Sequence, residues 1–447
     1  MFSKVKSCAV HGVDGRMIDV EADVNDGLPV FTMVGYLSSS VRESSERVRT
    51  ALKNSGFHLP PKRITINLSP ADMRKDGSGY DLAIATAVLL SLGVTAELPM
   101  EQTLVLGELS LDGSIKAIPG VLPMVICARE EGMTSCIVPK ENVQEAALVQ
   151  GISVIGVSSL KETMEYIQGI KEYENTNVEQ PAVDTSEYLY DIDFSDVVGQ
   201  ESIKRGMEIA AAGFHNVLLT GAAGAGKSML AKRLPTILPQ MSFEESLEVT
   251  KIYSVGGMLP PEGGLIHRHP FRAPHHTISE YALIGGGRVP TPGEVSFAHY
   301  GVLFLDELPE FSKPVLEVLR QPLEDRRIRI SRVQASYEFP ADFMFVAAMN
   351  PCPCGNYPDY RRCSCTEQQI RRYQSKVSGP LLDRIDIRME VKGVKQEVLF
   401  SKQKTESSKT IRARVEQARQ MQKERFAGTG LLFNSQLDGK NLEEYIT

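Results

Sequence analysis

Gly221-Ala222-Ala223-Gly224-Ala225-Gly226-Lys227-Ser228 is the stretch from which the rest of the chain can be read. It carries a glycine, four residues, then Gly-Lys-Ser. The apolar Val217-Leu218-Leu219-Thr220 precedes it and the helix-forming Met229-Leu230-Ala231-Lys232-Arg233-Leu234 follows it. Strand, glycine loop and helix in that order make a phosphate cradle: small residues let backbone N–H groups close on phosphate oxygens, and the helix N-terminus adds partial positive charge. Lys227 is expected to reach the β- and γ-phosphates of a nucleoside triphosphate, and Ser228 to place its hydroxyl on Mg²⁺. The plainer alternative is a glycine turn that happens to precede a helix.

Two further apolar runs bear on the same site. Gly301-Val302-Leu303-Phe304-Leu305 ends in Asp306-Glu307, as expected of a buried parallel strand that delivers acids at its C-terminal end. Asp306 is expected in the Mg²⁺ shell, and Glu307 is expected to orient or deprotonate the attacking water. Phe343-Met344-Phe345-Val346-Ala347-Ala348-Met349 ends in Asn350, an amide placed to sit beside the γ-phosphate. Three strand ends converging on one phosphate predict a doubly wound α/β sheet with its ligand beyond the carboxyl ends of the strands.

The 447 residues predict several domains, and 42% hydrophobic with 23% charged residues is ordinary for a soluble chain. No apolar run approaches the roughly 20 residues needed to span a bilayer, so no membrane partner and a cytoplasmic location are expected. The formal charge of −7 argues against a surface that coats nucleic acid as a whole and leaves room for a local basic channel.

Residues 1–172 read as an α+β module. Strand-like segments lie at Ser7–Val10, Met17–Val20, Phe31–Gly35 and Arg63–Leu68, with helices expected at Ser40–Ser55 and Tyr80–Leu92. Its later segments, Gly107-Glu108-Leu109-Ser110-Leu111-Asp112-Gly113, Ile118-Pro119-Gly120-Val121 and Cys136-Ile137-Val138-Pro139-Lys140-Glu141-Asn142, resemble the proteolytic domain of Lon proteases. Lon enzymes carry a nucleophilic serine after a Lys-Asp-Gly-Pro run and a lysine base after an Ile-Gly-Gly run. Here Lys75-Asp76-Gly77-Ser78 leads to Gly79, and Ile118-Pro119-Gly120-Val121 leads to Leu122. Neither can act as nucleophile or base, and Ser78 is one residue out of register. The expectation is a Lon-like fold without the reaction.

Residues 173–190 are polar and acidic, and the linker is expected there. Residues 191–392 are expected to form the ATPase module. Its entry, Asp193-Phe194-Ser195-Asp196-Val197-Val198-Gly199-Gln200, followed by a helix at Ile203–Ala212, resembles that of AAA+ ATPases, which implies that Val198 lies against the adenine. Phe271-Arg272-Ala273-Pro274-His275-His276-Thr277, Gly285–Glu294, Leu308-Pro309-Glu310-Phe311 and Gly379-Pro380-Leu381-Leu382-Asp383-Arg384-Ile385-Asp386 complete a resemblance to the ComM/YifB family of magnesium-chelatase-like AAA+ proteins. It covers nearly the whole chain.

That resemblance implies an ATP-driven ring, hexameric in the family, acting on single-stranded or branched DNA. The activity implied is branch migration when incoming DNA is integrated during natural transformation. A magnesium-chelatase-like ATPase subunit and a regulatory or chaperone-like binding protein are the alternatives. Arg384 is expected to act as an arginine finger on a neighbour's γ-phosphate; an intrachain pair with Asp383 or Asp386 is its alternative.

Of seven cysteines, Cys352, Cys354, Cys363 and Cys365 fall together. Two close thiolate pairs across a short loop (352–365) can close a structural Zn²⁺ site, and free structural thiols are the alternative. His275 and His276 are adjacent, point in different directions, and are expected to be structural or substrate-contacting. Arg326-Arg327-Ile328-Arg329-Ile330-Ser331-Arg332 and Ser336-Tyr337-Glu338-Phe339 read as a basic hairpin. With Arg361, Arg362, Arg371, Arg372 and Lys376, interleaved by Tyr357, Tyr360 and Tyr373, it suits phosphate contact plus base stacking. The alternative is a solvated charged face. From 393 to 447 a helical lid is expected, with a helix at Thr410–Phe426; no later arginine-bearing helix of the kind that family lids use follows, so either a short member of the family or an absent tail is expected.

Overall fold

The computed structural model describes residues 1–171, 190–260, 264–332, 335–394, 405–437 and 445. Apart from Tyr190, the expected linker lies outside these residues, as do parts of the expected lid. The chain divides into two compact units: Met1–Val183 with Thr250–Leu265, and Asp184–Val249 with Ile266–Thr447. A division into consecutive segments places 250–265 in the ATPase module, and nothing local in the sequence marks them out. Among the described residues no helix is long and apolar enough to cross a membrane.

The first unit is built on strands β1 (Phe2–His11), β2 (Asp14–Asn25), β3 (Val30–Val34), β4 (Arg63–Ser69), β5 (Thr103–Val105), β6 (Ser135–Pro139) and β7 (Ser153–Val157). They form one sheet in the order β3-β4-β2-β1-β5-β6-β7. β1 and β2 pair antiparallel along their whole length from Phe2↔Asp23 to His11↔Asp14, across a turn in which Gly12 takes φ +67°. The helix Ser39–Asn54 starts where the Ser38 side chain accepts from the Val41 amide, and its Val41, Val48, Ala51 and Leu52 form the stripe that the core covers. The helix Asp81–Ser91 is apolar nearly all round and correspondingly buried. Its one acid, Asp81, is matched by Arg47, which donates from Nε at 2.8 Å and from a terminal nitrogen at 3.1 Å.

In the second unit β8 (Val217–Thr220), β9 (Phe271–Arg272), β10 (Val302–Leu305), β13 (Met344–Met349) and β14 (Ile387–Glu390) form a five-stranded sheet, ordered β9-β10-β13-β8-β14. Each neighbouring pair is parallel. β10 and β13 are buried at every position, which is why both appear in the sequence as unbroken apolar runs rather than alternating ones. The register sets Leu305 against Ala347 and Thr220 against Met349, so the three strands end together. Between β10 and β13, β11 (Arg327–Ser331) and β12 (Ser336–Pro340) pair antiparallel as the expected hairpin. The helix Ser408–Arg425 lies on the helix Glu201–Gly213. Arg414 ties them, donating at 2.7 Å and 2.8 Å to the buried Glu208 carboxylate.

Candidate functional site

The glycine loop leaves β8 at its C-terminal end, and its glycines answer two different constraints. A Cβ on Gly221 would come within 2.2 Å of the Val391 carbonyl oxygen, so that position is small because backbone passes close by. Gly224 and Gly226 take φ of +74° and +93°, the left-handed region that side chains avoid. Lys227 then opens the helix Lys227–Arg233.

The side chains converge as the strand ends dictate. The Lys227 Nζ donates to the carbonyls of Gly221 at 2.7 Å and Ala222 at 2.9 Å, and to Asn350 Oδ1 at 3.1 Å. Burial lowers its pKa, against the opposing pull of the Asp306 and Glu307 carboxylates. The Ser228 hydroxyl donates at 2.6 Å to Asp306 Oδ2, and the Glu307 amide donates at 2.9 Å to Asp306 Oδ1. A cavity of about 320 Å³ is lined by the loop from Ala223 to Met229 with Asp306, Glu307, Met349 and Asn350. One ammonium, backbone amides and a hydroxyl beside a carboxylate are suited to a polyphosphate and the hard cation that accompanies it, since Mg²⁺ takes oxygen ligands and few of them from protein. Gly221 and Ala222 hold Lys227 rather than line the cavity, and Val198, expected at the adenine, is not among the lining residues.

Glu307 has a neighbour for which the sequence predicts only a structural or substrate-contacting role. His276 Nδ1 stands 3.9 Å from Glu307 Oε2, with its ring 4.0 Å from that of His275. Among the described residues, the group of three or more His, Cys, Asp or Glu side chains placed to share a metal ion is Cys352, Cys354, Cys363 and Cys365; neither histidine belongs to it.

Arg384 stands apart. It precedes β14, whose Ile387 pairs with Val217 at the start of β8, whereas the glycine loop follows Thr220 at the other end. It therefore lies at the end of the sheet opposite its own chain's nucleotide cavity. Its intrachain partner is neither Asp383 nor Asp386: Nε donates at 2.9 Å to Glu324. Asp386 is occupied by the Asn216 amide at 2.9 Å and by His215. A separation of 60 residues hid Glu324 from a reading of local sequence.

The basic surface is smaller than its composition implies. Arg327 and Arg329 both bind the Glu338 carboxylate, at 2.6 Å and 3.0 Å, and Arg326 binds Asp342. The two guanidiniums, Arg329 foremost, hold the Glu338 carboxyl below its usual range. Tyr360 is 78% exposed and meets Tyr357 edge to face, but Tyr373 is buried and cannot stack on a base. Its place on the helix Glu367–Gln374, three residues from the buried Ile370, explains this.

At the positions where a Lon-type pair would stand, Gly79 packs with Ile118 so close that a Cβ would lie 3.1 Å from Ile118 Cδ1, and Leu122 is fully buried. Ser78 donates its hydroxyl to Glu108.

Three family models match: "Magnesium chelatase, subunit ChlI" over residues 193–399, "Subunit ChlI of Mg-chelatase" over 20–142, and "Magnesium chelatase, subunit ChlI C-terminal" over 405–447. The chain is 42% identical over 424 residues to the protein YifB of Escherichia coli, covering 94% of this chain and 82% of that one. It is 40% identical over 445 residues to the competence protein ComM of Haemophilus influenzae, covering 98% and 85%. It is also 30% identical over 183 residues to Lon protease 2 of Bacillus subtilis, covering 36% and 32%.

Proposed function

The chain belongs to the ComM/YifB family of magnesium-chelatase-like proteins, and from that premise we propose that it is an AAA+ ATPase that hydrolyses ATP within a ring and works on DNA. The observation that carries the first half is the meeting of Lys227, Ser228, Asp306 and Asn350 at the C-terminal ends of three parallel strands. Lys227 binds the β- and γ-phosphates, Ser228 and Asp306 would hold Mg²⁺, Glu307 orients or deprotonates the water, and Asn350, beside the γ-phosphate, positions that water. Val198 contacts the adenine from the entry segment. The bound metal would neutralise charge on the phosphates. The protein's own contribution is position: the cavity offers fixed groups whose hydrogen bonds need only be redirected from the loop's carbonyls to the ligand.

Arg384, at the far end of its own sheet, is suited to serve the cavity of a neighbouring copy, which makes the working form an oligomer, in our reading a hexamer. DNA is favoured by the exposed Arg361, Arg362, Arg371 and Arg372 beside Tyr357 and Tyr360, and by the likeness to a competence protein. Branch migration of DNA during recombination is the activity we assign. The matched models' descriptions favour a second reading, an ATPase subunit serving insertion of Mg²⁺ into a porphyrin.

One experiment tests both: ATP hydrolysis by the full chain, alone and with single-stranded DNA, branched DNA or a porphyrin, over a series of salt concentrations. Stimulation by DNA that fades as salt rises is expected. Absence of hydrolysis under every condition overturns the ATPase assignment, and stimulation by porphyrin alone replaces the DNA reading with the second.

A further inference from the structure

The four cysteines of residues 352–365 stand close together without being bonded to one another. All are free thiols, and their sulfurs lie within 4.8 Å of one another. Cys352 Sγ is 3.4 Å from Cys354 Sγ and 3.8 Å from Cys363 Sγ, and Cys354 Sγ is 3.6 Å from Cys363 Sγ. A disulfide needs about 2.05 Å, so these are not bridges. A tetrahedron of sulfurs around Zn²⁺ at about 2.3 Å has edges of about 3.8 Å, which these distances approach. The Tyr357 amide donates to Cys352 Sγ at 3.4 Å, the outer contact that orients a thiolate ligand.

This loop lies against two residues that line the nucleotide cavity, Ala223 and Asn350. Cys352 follows Asn350 by two residues. Gly355, in the left-handed region at φ +78°, closes a turn by donating at 3.0 Å to the Cys352 carbonyl. A Cβ on Gly355 would lie 3.6 Å from the Ala223 amide nitrogen and 4.0 Å from Asn350 Cγ. The loop's backbone thus lies against the glycine loop and the amide that binds Lys227. Beyond the last cysteine, Gln374 donates at 3.0 Å to the Pro351 carbonyl. Between Pro353 and Thr366 the side chains are mostly exposed, so little apolar burial offsets the entropy of ordering the segment. Something else must hold it.

We propose that Cys352, Cys354, Cys363 and Cys365 bind one Zn²⁺, and that the metal, by fixing the loop that Gly355 lays against Ala223, controls the affinity of the cavity for nucleotide. The second half rests on the nucleotide reading above. The metal is structural, since four sulfurs leave no open position. Its effect on ATP is indirect: it fixes the loop that lies behind Ala223, a lining residue, and the strand end that carries Asn350. Coupling between two sites is reciprocal, so ATP must tighten zinc by the factor with which zinc tightens ATP.

The test uses the full chain purified reduced and without chelator. Metal analysis should find one zinc per chain, and Cys363→Ser should lose it, while Cys363→His, which keeps a ligand, should retain most of it. Titration with Mg²⁺ and ATP should show affinity falling about tenfold on zinc removal and returning when zinc is restored. In competition with a zinc-selective chelator, ATP should raise zinc affinity by the same factor. Removing zinc from wild type with a chelator needs no variant, so the coupling is testable even if Cys363→Ser fails to fold; Gly355→Val, which leaves every cysteine in place, tests the contact with Ala223 and should bind ATP more weakly. Zinc absent from wild type overturns the metal site. Zinc present, with ATP affinity unchanged on its removal, overturns the coupling. A zinc-loaded wild type that binds no ATP overturns the nucleotide reading and leaves the metal site standing.

Discussion

Lys227 shows how a single side chain is kept ready for a ligand. Its three hydrogen bonds, to two carbonyls and the Asn350 amide, are all ones that a phosphate can replace, so removing the ammonium removes the main cation of the site. Lys227→Ala should therefore abolish tight ATP binding in a titration. Glu307→Gln should bind ATP as wild type does and hydrolyse it slower by about 10² or more, since it removes only the proposed general base. Equal ATP affinity in wild type and Lys227→Ala would sink the assignment. A second expectation at this scale concerns Gly79 and Leu122: the chain should show no peptide hydrolysis. Hydrolysis that survives removal of contaminating proteases and vanishes in Ser78→Ala would make Ser78, with Glu108 beside it, a nucleophile. The strand, glycine loop and helix around Lys227 were legible because their residues are consecutive. Glu324 beside Arg384, His276 beside Glu307 and Gly355 beside Ala223 were not, because each pairing is made by the fold across long stretches of chain.

Among the elements, strands were read more surely than surfaces. β10 and β13 are apolar throughout because both faces of a parallel strand are covered. The hairpin of β11 and β12 shows in the alternation of exposed Arg327, Arg329 and Ser331 with buried Ile328 and Ile330. What composition could not show is that Glu338, one strand over, engages two of those arginines. Glu338→Gln should free them, tightening DNA binding and steepening its salt dependence by about one phosphate contact or more. A filter-binding series in which Glu338→Gln matches wild type at every salt concentration would remove the hairpin from the DNA surface. Tyr373 is the instructive error: its three-residue spacing from Ile370 marks a buried helical stripe, and that signal was available in the sequence.

At the scale of the assembled protein, the position of Arg384 makes the strongest demand. A guanidinium at the end of the sheet remote from its own cavity can act on ATP only from another copy, and to do so it must part from Glu324. Arg384→Ala and Lys227→Ala should each be inactive, while a mixture of the two should regain part of the ATPase rate. In the proposed ring, a mixture would contain some cavities with an intact lysine from one chain and an intact arginine from the other. A mixture that stays inactive, although mixed rings are detected by native mass measurement, would show that Arg384 does not work in trans. An arginine of this kind is worth about 10³ to 10⁵ in rate, so even a small restored fraction is measurable.

The first unit has a property that bears on how this chain can be taken apart. Because Thr250–Leu265 belongs to it, the polypeptide crosses between the units three times, not once. Glu145, buried and with its carboxyl raised by that burial, accepts from the Ser254 hydroxyl, and the Ser254 carbonyl accepts from Gly120 at 3.0 Å. Lys251 reaches Asp14 at 2.8 Å. Expressing residues 1–183 alone would leave Glu145 and the Gly120 amide without those partners. A cut in the chain between the units would be a nick rather than a division, with two pieces held together by a returning segment. Any exchange of the first unit for another would have to carry both stretches, Met1–Val183 and Thr250–Leu265.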